Sequence, residues 1–353
     1  MAPHRIGILT GGGDAPGLNA VIRAVVKRGV GQLHWQVVGI EDSFNGLLEE
    51  PRRLIDLTPR SCQGLLPRGG TVLGTTNRGD PFDYPDGDGG TSDRSAELAE
   101  AIRDEGIEGL IVIGGDGSQR IAARLMEEHG VPVVGVPKTI DNDLAATDFT
   151  FGFWSAVEVA TEALDRLHTT AEAHDRVMLL EVMGRTAGWI ALYAGVSGGA
   201  DCIAIPEVPY DAERFAQKIR ERRRRGRQFT LFVVAEGARP LGDAAPGHRP
   251  VGAARRLADA LSERLDIESR VTVLGHLQRG GSPIPFDRVL ATRFGVAAVD
   301  LIQNDQWGRL VRLDNGEITS VPLAEAAVEP RVVDLSHPLI ADARAVGIEF
   351  GSP

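Results

Sequence analysis

IGILTGGGDAPGLN, residues 6–19, joins a short apolar run to a glycine-rich turn and then to a helical pattern. The apolar run Ile6–Leu9 predicts a buried strand, and a helix is predicted from about Leu18. Glycines in the turn allow backbone N–H groups to approach a phosphate at the helix N-terminus. The turn is not a P-loop, because no Lys-Ser/Thr pair follows it, and Pro16 breaks the dinucleotide fingerprint. By itself it fits a tight turn as well as a phosphate site.

Apolar runs alternate with helical patterns along most of the chain, which predicts βαβ units and a parallel sheet. Further strands are predicted at Leu110–Ile113, Val131–Val136, Val177–Val182, Cys202–Ile205, Thr230–Val234 and Val271–Leu274. Ligands of such sheets bind beyond the carboxyl ends of the strands. Polar, glycine-rich segments follow the strands at those ends, namely Gly11–Asp14, Gly114–Ser118, Lys138–Asp143, Met183–Arg185 and His276–Gly281. We therefore expect one large composite site.

The composition argues against several classes of protein. A length of 353 residues suggests two domains, and a net charge of −11 argues against nucleic acid as a partner. The two cysteines, Cys62 and Cys202, match no metal-binding spacing. No signal peptide is apparent, and no apolar stretch approaches the ~18 residues of a membrane helix. We therefore expect a cytoplasmic location and no membrane partner.

The segment Gly114-Gly115-Asp116-Gly117-Ser118 lies between a predicted strand and a predicted helix. Its backbone amides are suited to the phosphates of a nucleotide, and Asp116 is suited to the coordination sphere of Mg²⁺. The structural alternative is a helix N-cap made by Asp or Ser. This segment indicates phosphoryl transfer without identifying the acceptor.

The segment Pro137-Lys138-Thr139-Ile140-Asp141-Asn142-Asp143 places two carboxylates after a predicted strand. An acceptor alcohol must lose its proton during phosphoryl transfer, and a positioned carboxylate can take it. Asp141 is the candidate base, and Asp143 would orient it or act through Mg²⁺. The alternative interpretation is a polar turn with an Asx cap.

Several segments resemble the phosphofructokinase family. Pro137–Asp143 closely resembles the family's catalytic signature, and Gly114–Ser118 resembles a motif that this family shares with NAD kinases and diacylglycerol kinases. Glu181–Arg185 is similar to its sugar-binding segment, and Gly275–Ser282 to the segment that holds the 6-phosphate. The resemblance runs from about Ile6 to Val299 with the motifs in the same order.

The resemblance implies an α/β fold with two Rossmann-like three-layer domains, mainly parallel sheets, and the active site in the cleft between the domains. Residues 1–152 and 278–328 would form the phosphoryl-donor domain, which holds ATP and Mg²⁺. Residues 153–277 and 329–353 would form the domain that binds fructose 6-phosphate.

The implied reaction transfers a phosphoryl group from ATP to the C1 hydroxyl of fructose 6-phosphate, which gives fructose 1,6-bisphosphate in glycolysis. Pyrophosphate as the donor is the nearest alternative. A non-catalytic sensor of a phosphosugar or a nucleotide is a more distant one, although Asp116, Asp141 and Asp143 are all present. The resemblance also implies a homodimer or homotetramer.

Site residues follow from the resemblance position by position. The donor would be bound by Gly12, Arg78, Gly115, Asp116, Gly117 and Ser118, with Asp116 as the Mg²⁺ ligand. The family places an Arg at the position of Asn77, so Arg78 is a substitute for it. The sugar would contact Thr139, Ile140, Asp141, Met183, Gly184, Arg185 and Glu236, and its 6-phosphate would contact His276 and Arg279. Arg185 is also a catalytic candidate, because it would offset charge on the transferring group together with Mg²⁺. Arg176 and Arg270 match family arginines that reach the sugar phosphate from a neighbouring subunit, and the structural alternative is a surface salt bridge at a strand start.

Two positions concern the choice of donor. Gly117 leaves space for the α-phosphate and nucleoside of ATP, where Asp is the family's pyrophosphate mark. Lys138 instead favours pyrophosphate as the donor, because Lys at this position accompanies pyrophosphate use in many members of the family. Its charge can stabilise the transferring anion. The pair resembles the group of the family with mixed ATP and pyrophosphate donors. We give Gly117 more weight, because a steric block matters more than an added cation, and expect ATP.

Overall fold

The computed structural model describes residues 4–86, 89–243, 252–326 and 330–352. The chain divides into two compact units. Unit 1 comprises Met1–Thr139, Leu144–Gly152 and Arg279–Pro330, and unit 2 comprises Ile140–Asp143, Phe153–Gln278 and Arg331–Pro353. These limits differ slightly from the predicted domains, and the short segment Ile140–Asp143 groups with unit 2 instead of with the residues around it.

The chain alternates between strands and helices, as the βαβ pattern predicts. The strands, numbered along the chain, are β1 (Arg5–Thr10), β2 (Gln36–Ile40), β3 (Leu54–Leu57), β4 (Tyr84–Pro85), β5 (Thr91–Ser92), β6 (Gly109–Gly114), β7 (Val133–Pro137), β8 (Val177–Val182), β9 (Cys202–Ala204), β10 (Thr230–Ala235), β11 (Ser269–Val273), β12 (Arg309–Asp314) and β13 (Glu317–Pro322). The α-helices are α1 (Leu18–Leu33), α2 (Asn45–Leu48), α3 (Ser95–Asp104), α4 (Asp116–His129), α5 (Phe153–His174), α6 (Trp189–Ser197), α7 (Ala212–Arg224), α8 (Ala253–Ser262), α9 (Pro285–Gln303), α10 (Leu323–Ala326) and α11 (Pro338–Ala345). A 3₁₀ helix spans Gly275–Arg279.

Unit 1 is built on a seven-stranded sheet in the order β13-β12-β7-β6-β1-β2-β3. Its strands are parallel except at the two edges, where β13 and β3 run antiparallel to their neighbours. Ile111 and Ile113 of β6 pack with residues of α1 and α9, whereas Leu110 and Val112 pack with residues of α3 and α4. Because successive side chains of a strand face opposite sides of the sheet, helices cover both faces. Each such buried aliphatic side chain stabilises the fold by ~1.5–3 kcal/mol.

Unit 2 has a four-stranded parallel sheet in the order β11-β8-β10-β9. Val177 and Leu179 of β8 face a cluster that includes residues of α7 and α8, and Met178 faces Ala171 of α5 on the other side. The predicted α/β class with mainly parallel sheets is therefore confirmed. No helix in the described part of the chain is long and apolar enough to cross a membrane.

Candidate active site

In unit 1, the two predicted donor-site segments and Lys138 follow neighbouring parallel strands. The strands β7, β6 and β1 are adjacent in the sheet, so their carboxyl ends lie at one edge. Backbone hydrogen bonds extend this order into the loops, from Gly11 N to Ile113 O at 2.9 Å and from Lys138 N to Gly114 O at 3.0 Å. The glycine turn, the start of α4 and Lys138 are brought together in this way.

The turn after β1 needs its glycines. Gly12 has a φ of 78°, a left-handed conformation that costs glycine little. A Cβ on Gly11 would lie 2.5 Å from the Ser118 hydroxyl oxygen, so a side chain there would clash. The Thr75 hydroxyl donates to Gly12 O at 2.6 Å and fixes the turn. The turn thus presents backbone and not side chains.

Helix α4 begins with predicted donor-binding residues. Its N-cap is Gly115, and among the described residues no side chain caps the helix. The alternative that Asp or Ser caps this helix is therefore not seen. The first N–H groups of a helix have no partner inside the helix, and an anion can bind them. Apart from the adjacent backbone of α4, the nearest atom of the described residues to a Cβ built on Gly117 is Arg120 Nη2 at 4.0 Å, so this position has open space beside it.

Two cations lie against the turn after β1. Lys138 is buried, and its Nζ donates to Gly13 O. Arg279 Nη1 donates to Asp14 O at 3.0 Å. Arg279, predicted to bind the sugar 6-phosphate, therefore belongs to unit 1 with the donor segments, whereas His276 belongs to unit 2.

The other predicted residues of unit 1 lie near these segments along the chain. Arg78 is exposed, and its backbone N–H donates to the Thr76 hydroxyl at 2.9 Å. Thr139 is buried, and its carbonyl accepts from the Thr150 hydroxyl at 2.7 Å.

In unit 2, the candidate base lies beside an arginine. Asp141 is 2% exposed, and its Oδ2 is 3.5 Å from Arg185 Nε. Ile140 and Asp143 are buried as well. A buried carboxylate is costly unless it is paired and hydrogen-bonded, and the guanidinium is such a partner. The structure thus joins Asp141 and Arg185, two residues predicted to be catalytic.

Arg185 stands in a strained backbone. Its φ is 52°, a left-handed value that is uncommon outside glycine, and Gly184 before it has a φ of 142°. Glu236 Oε1 accepts from Arg185 N at 2.9 Å, which holds this conformation. Strained residues cluster at functional sites, where the surrounding structure holds them. The hydrogen bond joins the ends of the neighbouring strands β8 and β10.

The predicted sugar residue Met183 is fixed by an amide. Its backbone N–H donates to Gln278 Oε1 at 2.8 Å, and Gln278 Nε2 donates to Ala156 O at 3.2 Å. His276, in the same 3₁₀ helix as Gln278, is exposed. The segment predicted to hold the 6-phosphate is therefore tied to the segment predicted to hold the sugar.

Arg176 and Arg270 form a separate pair around Glu268. Arg176 Nη2 lies 2.8 Å from Glu268 Oε1, and Arg270 Nη2 pairs with the same oxygen. The hydrogen bond from Arg176 lowers the pKa of Glu268 below its usual range. The pair lies where β8 begins and along β11, the edge strand of the sheet.

Three side chains that hold backbone near the predicted site residues were not predicted from the sequence. The buried Gln119 donates to Val112 O, Gly114 O and Val136 O, which fastens the ends of β6 and β7. Glu207 and Arg331 hold backbone of unit 2 through contacts described below. The one sequence signal for Gln119 is its position directly after the Gly114–Ser118 motif, whereas nothing local marks Glu207 and Arg331.

Asp116 is the residue that fits a magnesium role. Its side chain is 20% exposed and lies 3.3 Å from Arg120 Nη2. No cluster of three or more His, Cys, Asp or Glu residues suited to a metal occurs among the described residues. Mg²⁺ commonly binds through one or two carboxylates together with the phosphates of a substrate. A single carboxylate at a helix start is compatible with that mode.

Known proteins are similar to this chain in sequence and in fold. A family model described as Phosphofructokinase matches residues 5–302. An ATP-dependent 6-phosphofructokinase of Chloroflexus aurantiacus is 52% identical over 352 residues, which cover 99% of this chain and 98% of that relative. A pyrophosphate–fructose 6-phosphate 1-phosphotransferase of Streptomyces coelicolor is 48% identical over 357 residues, with 98% and 100% covered. A solved phosphofructokinase structure from Saccharomyces cerevisiae is 32% identical with a TM-score of 0.79, and the match covers 92% of this chain and 45% of that chain. The chain belongs to the phosphofructokinase family.

Proposed function

We propose that this protein is an ATP-dependent 6-phosphofructokinase, which transfers the γ-phosphoryl group of ATP to the C1 hydroxyl of fructose 6-phosphate. The observation that carries the proposal is the buried Asp141 carboxylate beside the Arg185 guanidinium. The name of the Chloroflexus relative supports the same activity. Asp141 would take the proton of the C1 hydroxyl, and Arg185 would offset charge on the transferring group.

The other predicted site residues would bind the phosphoryl donor, the metal ion and the sugar phosphate. Backbone of the turn after β1 and the start of α4 would bind the donor phosphates, and Arg78 would contact the donor as well. Asp116 would hold Mg²⁺, which, when bound with the phosphates, neutralises developing charge. Asp143 would orient Asp141. The sugar would be bound by Thr139, Ile140, Met183, Gly184, Arg185 and Glu236, and its 6-phosphate by His276, Arg279, Arg176 and Arg270.

Pyrophosphate is the second candidate donor. It is favoured by Lys138 and by the name of the Streptomyces relative. However, Lys138 Nζ donates to Gly13 O, so part of its hydrogen-bonding capacity serves the turn after β1. The open space at Gly117 supports ATP.

We further propose a cytoplasmic homo-oligomer in which Arg176 and Arg270 serve the sugar phosphate of a neighbouring subunit. A dianionic phosphate is bound well by several arginines, because their planar guanidinium groups offer paired donors. The Glu268 carboxylate would hold both arginines until the phosphate arrives.

The decisive experiment measures fructose 1,6-bisphosphate formation from fructose 6-phosphate and Mg²⁺, with ATP and pyrophosphate in parallel reactions. Turnover with ATP alone is the expected result. Turnover with pyrophosphate alone would keep the phosphotransferase activity and overturn the donor argument. The absence of turnover with both donors would refute the proposed function.

A further inference from the structure

The loop that carries the candidate base is hydrogen-bonded to the C-terminal arm, which we define as residues 331–337. The loop Ile140–Asp143 and the arm both belong to unit 2, although more than half of the chain separates them in sequence. Asn142 in this loop has a φ of 53°, so the backbone next to Asp141 adopts a left-handed conformation. A short, strained loop of this kind needs external contacts to keep one geometry.

Arg331 makes two such contacts with the loop. Its backbone N–H donates to Asp143 O at 2.7 Å, and its Nη2 donates to Asn142 O at 3.2 Å. The second bond is charge-assisted, which makes it stronger than a bond between neutral groups. Both acceptors are main-chain carbonyls that follow Asp141 directly in the chain. Through these two bonds Arg331 fixes main-chain positions next to Asp141.

The arm itself is fixed to the segment that begins α6. Trp189 Nε1 donates to Arg331 O at 3.1 Å, and the Arg331 guanidinium lies 4.7 Å from the centroid of the Trp189 indole ring. A cation over an indole face is attracted by the ring's quadrupole. Arg331 is therefore held from both its carbonyl and its guanidinium ends.

Glu207 provides a second attachment for the arm. Its Oε1 accepts from Gly188 N and from Val333 N, each at 2.8 Å. Burial raises the pKa of the Glu207 carboxyl. Gly188 follows Arg185 by three residues, so the segment that carries Arg185 also anchors the arm.

We propose that Arg331 is a positioning residue for Asp141: its guanidinium fixes the Asn142 carbonyl and thereby keeps the Asp141 carboxylate at its distance from Arg185. The inference rests on the proposed function, in which Asp141 is the base. A misplacement of about 1 Å at a reacting group costs about 10²-fold in rate. The arm is therefore part of the machinery of the reaction, and not only a C-terminal anchor.

The test compares Arg331→Gln, Arg331→Lys and the wild type in the fructose 6-phosphate assay. Residue 331 keeps its backbone bonds to Asp143 and Trp189 in each variant, so the guanidinium alone changes. We expect kcat of Arg331→Gln to fall by about 10- to 100-fold with KM for fructose 6-phosphate within about threefold. Arg331→Lys should recover part of this loss, because an ammonium can still donate to Asn142 O.

Arg344→Gln is the matched control. Arg344 also lies over an aromatic ring, that of Phe350 at 5.7 Å, but it contacts neither the loop nor Trp189 through any described bond. Its activity should equal that of the wild type. In Arg331→Ala, millimolar guanidinium chloride should raise kcat, whereas sodium chloride at the same concentration should not.

A second pair of variants tests the arm at its other attachment. Glu207→Gln keeps an acceptor oxygen for Gly188 and Val333 and should retain kcat, whereas Glu207→Ala should lower it. A wild-type rate in Arg331→Gln would overturn the proposal. The proposal would also be overturned if kcat falls but neither Arg331→Lys nor added guanidinium recovers any of it. Unfolding of all these variants would overturn it too, because both results are those of a purely structural contact. If the wild type itself lacks turnover, the proposed function fails instead, so the two failures are distinguishable.

Discussion

Among single residues, Asp141 decides most of the proposed chemistry. Its carboxylate is buried and lies 3.5 Å from Arg185 Nε, so it is placed to accept a proton while its charge is balanced. A general base contributes about 10²–10⁴-fold to a rate. We expect Asp141→Asn to lower kcat by at least about 10²-fold with little change in KM for fructose 6-phosphate, measured by steady-state kinetics.

The control for this change is Asp165→Asn on the exposed side of α5, which should leave both constants unchanged. A kcat of Asp141→Asn within about threefold of the wild type would remove Asp141 as the base. A large rise in KM at constant kcat would instead assign Asp141 to binding alone.

Gly117 is the residue on which the choice of donor depends. Among the described residues beyond the local backbone of α4, the nearest atom to a Cβ built there is Arg120 Nη2 at 4.0 Å, so the position is open. An Asp at this position would fill the space and repel an α-phosphate. We expect Gly117→Asp to abolish turnover with ATP, while pyrophosphate turnover stays equal or rises. Gly117→Ala adds volume without charge and should lose less, and unchanged ATP turnover in Gly117→Asp would refute the steric argument.

The residue-scale predictions from sequence rest on local motifs. The Gly114–Ser118 and Lys138–Asp143 motifs follow strands, so their places at the ends of β6 and β7 could be predicted. The contact of Arg331 with Asn142 could not, because it joins backbone positions far apart in the chain. A carbonyl acceptor exists at every residue, so no side-chain pattern marks the one that a distant arginine will reach.

Among the elements, helix α8 has its first turn bound to a carboxylate from strand β8. Glu181, near the end of β8, accepts from Ala254 N at 2.9 Å through Oε2. Burial raises the pKa of Glu181, the bond from Ala254 and the charge of Arg256 lower it, and the nearby Glu236 charge raises it. The net direction is upward, so the native carboxyl keeps its proton to a higher pH than the unfolded one.

This raised pKa has a consequence for stability. Between the usual pKa of Glu, ~4.3, and the raised native pKa, the native state binds more protons than the unfolded state, so stability falls as pH rises. Glu181→Gln keeps an acceptor oxygen but does not titrate. We expect the unfolding temperature of the wild type, relative to Glu181→Gln, to be constant below this window and to decrease across it. Thermal unfolding followed by circular dichroism over a pH series measures this difference.

The control for that series is Glu263→Gln, an exposed carboxylate at the end of α8. The difference between this variant and the wild type should not follow the same pH trend. A wild-type stability that rises relative to Glu181→Gln across the window would show that the bond to Ala254 outweighs burial.

Prediction of the elements from sequence succeeded where the apolar runs were distinct. The runs Ile6–Leu9 and Val177–Val182 are strands in the structure, and the predicted family and α/β class are confirmed. The grouping of Ile140–Asp143 with unit 2 was not predicted, because it depends on tertiary contacts that no local sequence pattern marks. Its tertiary partners Arg185 and Arg331 decide where it belongs.

For the whole molecule, the proposed oligomer rests on Arg176 and Arg270. Both are held by Glu268, at the edge of the unit 2 sheet formed by β11. If they serve a neighbouring subunit, an active site needs Asp141 from one chain and these arginines from another. Loss of either contribution should then inactivate the uniform oligomer, while the two defects can compensate in a mixed one.

We therefore expect Arg270→Ala and Asp141→Asn to be nearly inactive alone and to recover activity when their subunits are mixed and exchanged. After random exchange between dimers, half of the dimers contain one chain of each variant. In such a dimer, one of the two sites has both an intact Asp141 and an intact Arg270 from the neighbouring chain. The expected recovery is about a quarter of the wild-type rate, after subunit exchange confirmed by differently tagged chains. Mixing Asp141→Asn with Asp141→Ala is the control and should recover nothing, because no site then holds a base. Confirmed exchange without recovery would place Arg270 in the site of its own chain, and Glu268 would then hold it for that site alone.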